Sequence, residues 1–133
     1  MAEKIKFELV SPAKLLISEP VDMVVVPGTE GDFGAMALHA PMITTVRPGV
    51  IDVHNDGKVG TRIFVAGGFA EVNEERVTVL AEEALPVADI TADMVSSRLQ
   101  EAREALADAK TDAEKAAADQ RMLVAAALQA AAH

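Results

Sequence analysis

A β-rich block followed by a pair of helices is the fold class this sequence predicts, and three observations predict it. Apolar residues alternate with period two from Lys4 to about Glu83, turn residues break that alternation into short runs, and the period becomes helical after Leu85-Pro86. The expected architecture is an antiparallel β-sandwich over residues 1–87, then a two-helix antiparallel hairpin over 88–133, an α+β chain in two parts.

Each element has its own signal. "KIKFELV" places Ile5, Phe7 and Leu9 on one face, and "KLLIS" follows Ser11-Pro12 almost at once. "VDMVVV" ends at Pro27-Gly28, and "MITTV" ends at Arg47-Pro48-Gly49. "VIDVHNDGKVGTRIFVAGG" is a hairpin signal, because Asp56-Gly57 supplies a positive-φ turn between two apolar runs. "FAEVNEERVTVLAEE" predicts a second hairpin that turns near Asn73-Glu74-Glu75. Few connections are long enough for a crossover helix, which points to antiparallel layers.

Beyond Pro86, Val95, Leu99, Ala102 and Leu106 recur at helical steps. Asp89, Thr91 and Asp93 compete to cap this helix, which should stop near Lys110-Thr111-Asp112. A second helix is expected from about Ala113 to Ala131, with Leu123, Val124 and Leu128 on one side. Ten of the last 21 residues are alanine, which favours helix but buries little area. The pair should therefore pack weakly and is a candidate mobile element.

Composition narrows the function. The 133 residues suffice for one good core and a small appendage, and 50% hydrophobic content excludes a disordered chain. Twelve Lys and Arg against 21 Asp and Glu give a formal charge of −9. An acidic chain without a basic patch repels phosphate backbones and anionic headgroups, so no nucleic-acid partner is expected. There is no cysteine, which removes disulfides and thiolate metal sites. No apolar run of about 18 residues and no apolar leader are present, so no direct membrane insertion is expected.

The stretch "GTEGDFGAMALHAPMITTVRPGV", Gly28 to Val50, holds the residues that most resemble chemistry. Gly28, Gly31 and Gly34 are not a Walker A loop, as no Lys-Ser/Thr follows, nor a dinucleotide fingerprint, as no amphipathic helix follows. They read as a tight acidic loop between strands, with Gly34 letting the next strand start. His39 before Ala40-Pro41 reads as a turn residue whose ring bonds to backbone, since no nucleophile lies in an elbow-like context. His39, His54 and His133 show no ligand spacing, and the carboxylates are scattered. No catalytic residue, cofactor site or metal site is expected.

The start "FELVSP", then "VVVPGTEGDFGAMALHAPMITTVRPGVI", "FVAGGFAEV" and "VTVLAEEA", and the helical tail occur in an order that resembles the epsilon subunits of bacterial F-type ATP synthase, called delta in mitochondria. The resemblance spans essentially the whole chain. It implies a noncatalytic rotor subunit whose sandwich clamps the foot of the central gamma shaft and rests on the ring of membrane c subunits. On that resemblance, Glu30, Gly31 and Asp32 in the "GTEGD" turn face the c ring, while Ser11, His39 and Thr44 face gamma. Contacts with alpha and beta subunits would fall to the C-terminal helices. The place implied is the cytoplasmic face of a bacterial inner membrane, held peripherally through the complex. A start with no transit peptide favours a bacterium over a mitochondrion.

Two departures from the family's pattern bear on regulation. Many members carry Ile/Leu-Asp-x-x-Arg-Ala at the start of the first helix, where ATP binds. Here "DITADMV" puts Thr91, Met94 and Val95 in place of the Asp, Arg and Ala. The last helix carries only Lys115 and Arg121 as cations, whereas inhibitory members have an extended basic tail. ATP binding and strong inhibition are therefore not expected. The rival readings are a stand-alone β-sandwich binding module, which should not need the tail, and a small barrel enzyme, which would need converging polar groups in a pocket.

Overall fold

The computed structural model describes residues 3–12 and 14–132, with Lys14 described by its backbone alone. His133 lies outside the described residues. The chain divides into two compact units, Met1–Pro86 and Val87–His133.

The first unit is a β-sandwich of ten strands: β1 (Ile5–Ser11), β2 (Lys14–Val21), β3 (Met23–Gly28), β4 (Gly31–Ala35), β5 (Met42–Val46), β6 (Gly49–Asn55), β7 (Lys58–Val65), β8 (Gly68–Val72), β9 (Arg76–Ala81) and β10 (Ala84–Pro86). They hydrogen-bond in the order β10-β7-β6-β3-β5-β8-β9-β1-β2, with β4 added to β3. The sheet folds at β3 into two layers. The first half of β3 pairs with β6, and its last residue, Gly28, pairs with Val46 of β5.

Period two is what fills the space between the layers. Ile5, Phe7 and Leu9 of β1, Val24 and Val26 of β3, Ile51 and Val53 of β6, and Val77, Val79 and Ala81 of β9 all point inward and form one core. Both predicted hairpins are present. Asp56 and Gly57 take φ values of 54° and 76° between paired Asn55 and Lys58, as a two-residue primed turn requires. The Asn73 side chain accepts from the backbone N–H groups of Glu75 and Arg76, each at 2.9 Å, and closes the β8–β9 turn. The antiparallel expectation needs one amendment: β1 runs parallel to β9. That pair joins the start of the sandwich to its end, and alternation along each strand carries no information about such a distant neighbour.

One polar cross-link and one close backbone approach shape the first unit. Asp22, between β2 and β3, accepts the backbone N–H of Asp56 at 2.6 Å and pairs with Lys4 at 3.1 Å. Its own N–H donates to the Asn55 side chain at 3.1 Å. At the other site, Gly68 takes φ +140°, and a Cβ there would lie 1.9 Å from the Leu80 carbonyl oxygen.

The second unit holds a short 3-10 turn, Val87–Asp89, and two helices, α1 (Ala92–Asp108) and α2 (Asp112–Ala131), that form a hairpin. Thr91 and Thr111 cap them through side-chain oxygens that accept from Met94 N at 3.2 Å and Glu114 N at 3.1 Å. Of the three competing caps Thr91 is therefore the one used, and α1 ends slightly earlier than expected so that Thr111 can start α2. The buried seam is Val95 and Ala102 of α1 with Ala118, Ala125, Leu128 and Ala131 of α2. Leu123 is 54% exposed and does not share the packed side with Leu128, and Leu106 is also exposed. Four of these six seam residues are alanine, and Val95 and Leu128 are the larger side chains packed with them.

Two outcomes follow. Gly68→Ala should destabilise the sandwich by about 3 kcal/mol or more, read as the urea midpoint, because backbone and not a flexible side chain blocks the new methyl. Hydrogen bonding from Asp56 N–H, then from Lys4, holds the Asp22 carboxyl below the usual carboxylate range. Its folded-state value is depressed, so its contribution is present above the unfolded value and is lost as pH falls through the folded one. Asp22→Asn should therefore lower stability at neutral pH and flatten its decline in that acid window, measured by denaturant titration across pH.

Candidate functional site

The acidic turn is built by register. Gly28 pairs with Gly31, which leaves Thr29 and Glu30 as the tip between β3 and β4. Gly31 takes φ +134°, and a Cβ on Gly28 would lie 2.8 Å from the Gly31 carbonyl oxygen. These glycines shape a turn, as the sequence suggests, and β4 starts at Gly31 itself. Strand β5 braces the tip: Thr29 N–H donates to Thr45 O at 3.1 Å, and their hydroxyls meet at 2.7 Å. Arg47 donates its backbone N–H to Pro27 O at 2.9 Å and Nη1 to Gly28 O at 2.5 Å, while Nη2 forms an ion pair with Asp32. Glu30 is exposed and has no ionic partner among the described residues.

From this turn an outward row crosses the second layer. Thr45 pairs with Phe69, Phe69 with Leu80, Leu80 with Val10, and Val10 with Leu15. Phe69, Leu80 and Leu15 are each more than half exposed, at 56%, 53% and 54%. Val10, Phe69 and Leu80 line a shallow hollow with Ser11, Pro12, Gly68, Ala81 and Glu82, and it is mostly apolar. An exposed apolar row across four neighbouring strands, polar at its Thr29–Thr45 end, is the composition of a protein-binding face.

The six residues singled out by resemblance fall in three places. Ser11, half-buried at the end of β1, lies on the rim of the apolar hollow. His39 sits in the loop before β5, where its ring Nδ1 donates to Ala40 O at 2.6 Å and its backbone N–H donates to Met36 O. That is the turn-and-backbone role read from sequence. Thr44 is half-buried, and its hollow also holds Glu30, Gly31, Asp32, Phe33 and Met42. The structure thus groups Thr44 with the acidic turn, apart from the hollow of Ser11.

Phe69, Leu80, Val10 and Leu15 were not anticipated, although a signal exists. Phe69 is out of phase with inward Ala70 and Val72, and Leu80 is out of phase with inward Val77, Val79 and Ala81. Large apolar residues on the wet parity of an alternating strand mark a contact face.

Nothing in the described residues assembles reactive groups. No cluster of three or more His, Cys, Asp or Glu could hold a metal, and no polar side chain is fully buried. No helix is long and apolar enough to cross a membrane. On α1, Thr91 is engaged as the cap, Met94 is partly exposed and Val95 is packed in the seam.

The chain is similar to known proteins along nearly its whole length. The family model described as ATP synthase, Delta/Epsilon chain, beta-sandwich domain matches residues 4–87. The chain is 72% identical over 131 residues to the ATP synthase epsilon chain of Paramagnetospirillum magneticum, with 98% of each covered. It is 61% identical over 131 residues to that of Rhodospirillum rubrum, again with 98% of each covered. Among solved structures, a chain of the Euglena gracilis mitochondrial ATP synthase (OSCP, F1 and c-ring, rotational state 1) matches at 26% identity with a TM-score of 0.82, covering 100% of this chain and 84% of that one. A chain of the Tetrahymena thermophila mitochondrial ATP synthase central stalk and c-ring shares the fold at 15% identity and a TM-score of 0.76, covering 99% and 98%.

Proposed function

This chain belongs to the ATP synthase delta/epsilon family, and we propose that it acts as a noncatalytic rotor subunit that couples the c ring to the gamma shaft. The observation that carries this reading is the outward row from Thr45 to Leu15, which starts beside the acidic turn. The apolar row suits a protein shaft, and the turn suits a ring surface bearing cations. Two unlike faces side by side let one rigid sandwich hold two partners in fixed relation, as torque transfer requires. In this reading Ser11, His39 and Thr44 flank the gamma contact, and Glu30, Gly31 and Asp32 meet the ring. The chain is held at the cytoplasmic face of a bacterial inner membrane by those partners.

Replacing Phe69 and Leu80 by serine in the full chain should weaken binding to purified gamma by roughly tenfold or more while the urea midpoint changes little, since both side chains are outward. Unchanged affinity would move the gamma contact to another face.

Regulation is weak in this reading. Helix α2 carries Asp112, Glu114 and Asp119 against Lys115 and Arg121, so it lacks the positive charge needed to seat against acidic loops of the catalytic head. Met94 and Val95 offer no side-chain donor to a nucleotide, and the Thr91 oxygen is committed to the helix start. Removing residues 88–133 should leave hydrolysis by the assembled complex nearly unchanged, and calorimetry should detect no micromolar ATP binding. A several-fold rise in hydrolysis would assign the hairpin an inhibitory role.

A further inference from the structure

Arg47 contacts both strands of the acidic hairpin. It follows β5 directly, so its backbone N–H is placed to donate to Pro27 O at 2.9 Å. Its guanidinium then reaches Gly28 O on β3 at 2.5 Å and the Asp32 carboxylate on β4. A planar fork can hold a carbonyl and a carboxylate together, whereas an ammonium is a single point charge on a flexible stem. Thr45 holds the tip from the same side through Thr29. The charges of Arg47 and Asp32 cancel locally. Of the two carboxylates in the turn, Glu30 alone keeps an uncompensated charge at an exposed tip.

We infer that Arg47 is a positioning residue that takes Asp32 as its internal counter-ion and holds the hairpin in shape, so that Glu30 alone presents the turn's negative charge to a basic partner surface. This rests on the reading of the turn as ring-facing. It narrows that reading, since Asp32 serves the scaffold in place of a ring contact, and β5 is mechanically tied to the turn that meets the ring. An ion pair this exposed adds little to global stability, so its consequence is the local shape of the tip.

Two measurements on the full chain separate the brace from the ring contact. The first is amide hydrogen exchange at Thr29 in the free protein. Arg47→Gln and Asp32→Asn should each speed it by about tenfold and no more in combination, Arg47→Lys should fail to restore it, and Glu30→Gln should leave it unchanged. Unchanged exchange in Arg47→Gln overturns the brace. The second is affinity for a purified gamma–c-ring complex in detergent, titrated with potassium chloride. Glu30→Gln should weaken binding by about two- to fivefold and flatten its salt dependence, while the double variant Asp32→Asn/Arg47→Gln, which removes a neutral pair, should keep the wild-type salt slope. If the double variant flattens the slope as much as Glu30→Gln does, Asp32 faces the ring and the division of labour is wrong. If neither affects the slope, the ring-facing reading of the turn fails, and the exchange data alone then decide whether Arg47 braces it.

Discussion

Strand β3 is the constraint on which the sandwich depends. Six residues have to serve β4 along one edge, β6 over their first half and β5 at their end. The handover falls at Pro27-Gly28. Pro27 has no N–H to give to a ladder, and its carbonyl accepts from Arg47. Gly28 has no Cβ to strike the Gly31 carbonyl 2.8 Å from where it would stand. With both residues buried, the chain leaves one layer, joins the other and turns sharply within three positions. The core, the acidic turn and the placement of β5 follow from that one crossing.

The exposed apolar row is a by-product of the same order. Once β5 is set against β3, β8, β9, β1 and β2 follow by pairing, and their registers align Thr45, Phe69, Leu80, Val10 and Leu15 across the layer. The inward parity of these strands fills the core, and the outward parity is free to be apolar without cost to the fold. A stretch that looks at first like a phosphate loop beside a catalytic histidine is thereby explained as backbone engineering: glycines for a close turn, and a histidine whose ring is bonded to its neighbour's carbonyl.

Most of the architecture was legible because it is written in local patterns. The period-two runs, the Asp56-Gly57 turn and the change of period after Pro86 each have a short-range physical cause. The parallel β1–β9 pair was not legible, since pairing partners seventy positions apart leave no mark on alternation. Of the helix-face residues, Val95, Ala102 and Leu128 are buried as their spacing predicts, whereas Leu106 and Leu123 are exposed, because helical spacing alone does not fix how wide the packed stripe is. At the site, the acidic tip was evident from Gly28 to Asp32, but the Arg47–Asp32 pair depends on β5 lying beside β3. The outward Phe69 and Leu80 violate the strand pattern openly, although only the register shows that they form one row.

The alanine seam has a further consequence for how the C-terminal unit comes apart. Four of the six seam residues, Ala102, Ala118, Ala125 and Ala131, are alanine, so parting α1 from α2 exposes only Val95 and Leu128 as larger apolar side chains of that seam. Helix α2 is meanwhile rich in the residue with the best intrinsic helical preference, both helices are capped by threonine, and at 17 and 20 residues both exceed the length below which isolated helices are marginal. Loss of the partner and loss of helicity are thereby uncoupled. Parting of α1 from α2 would then turn on the short link Ala109–Thr111 and would not require either helix to nucleate again.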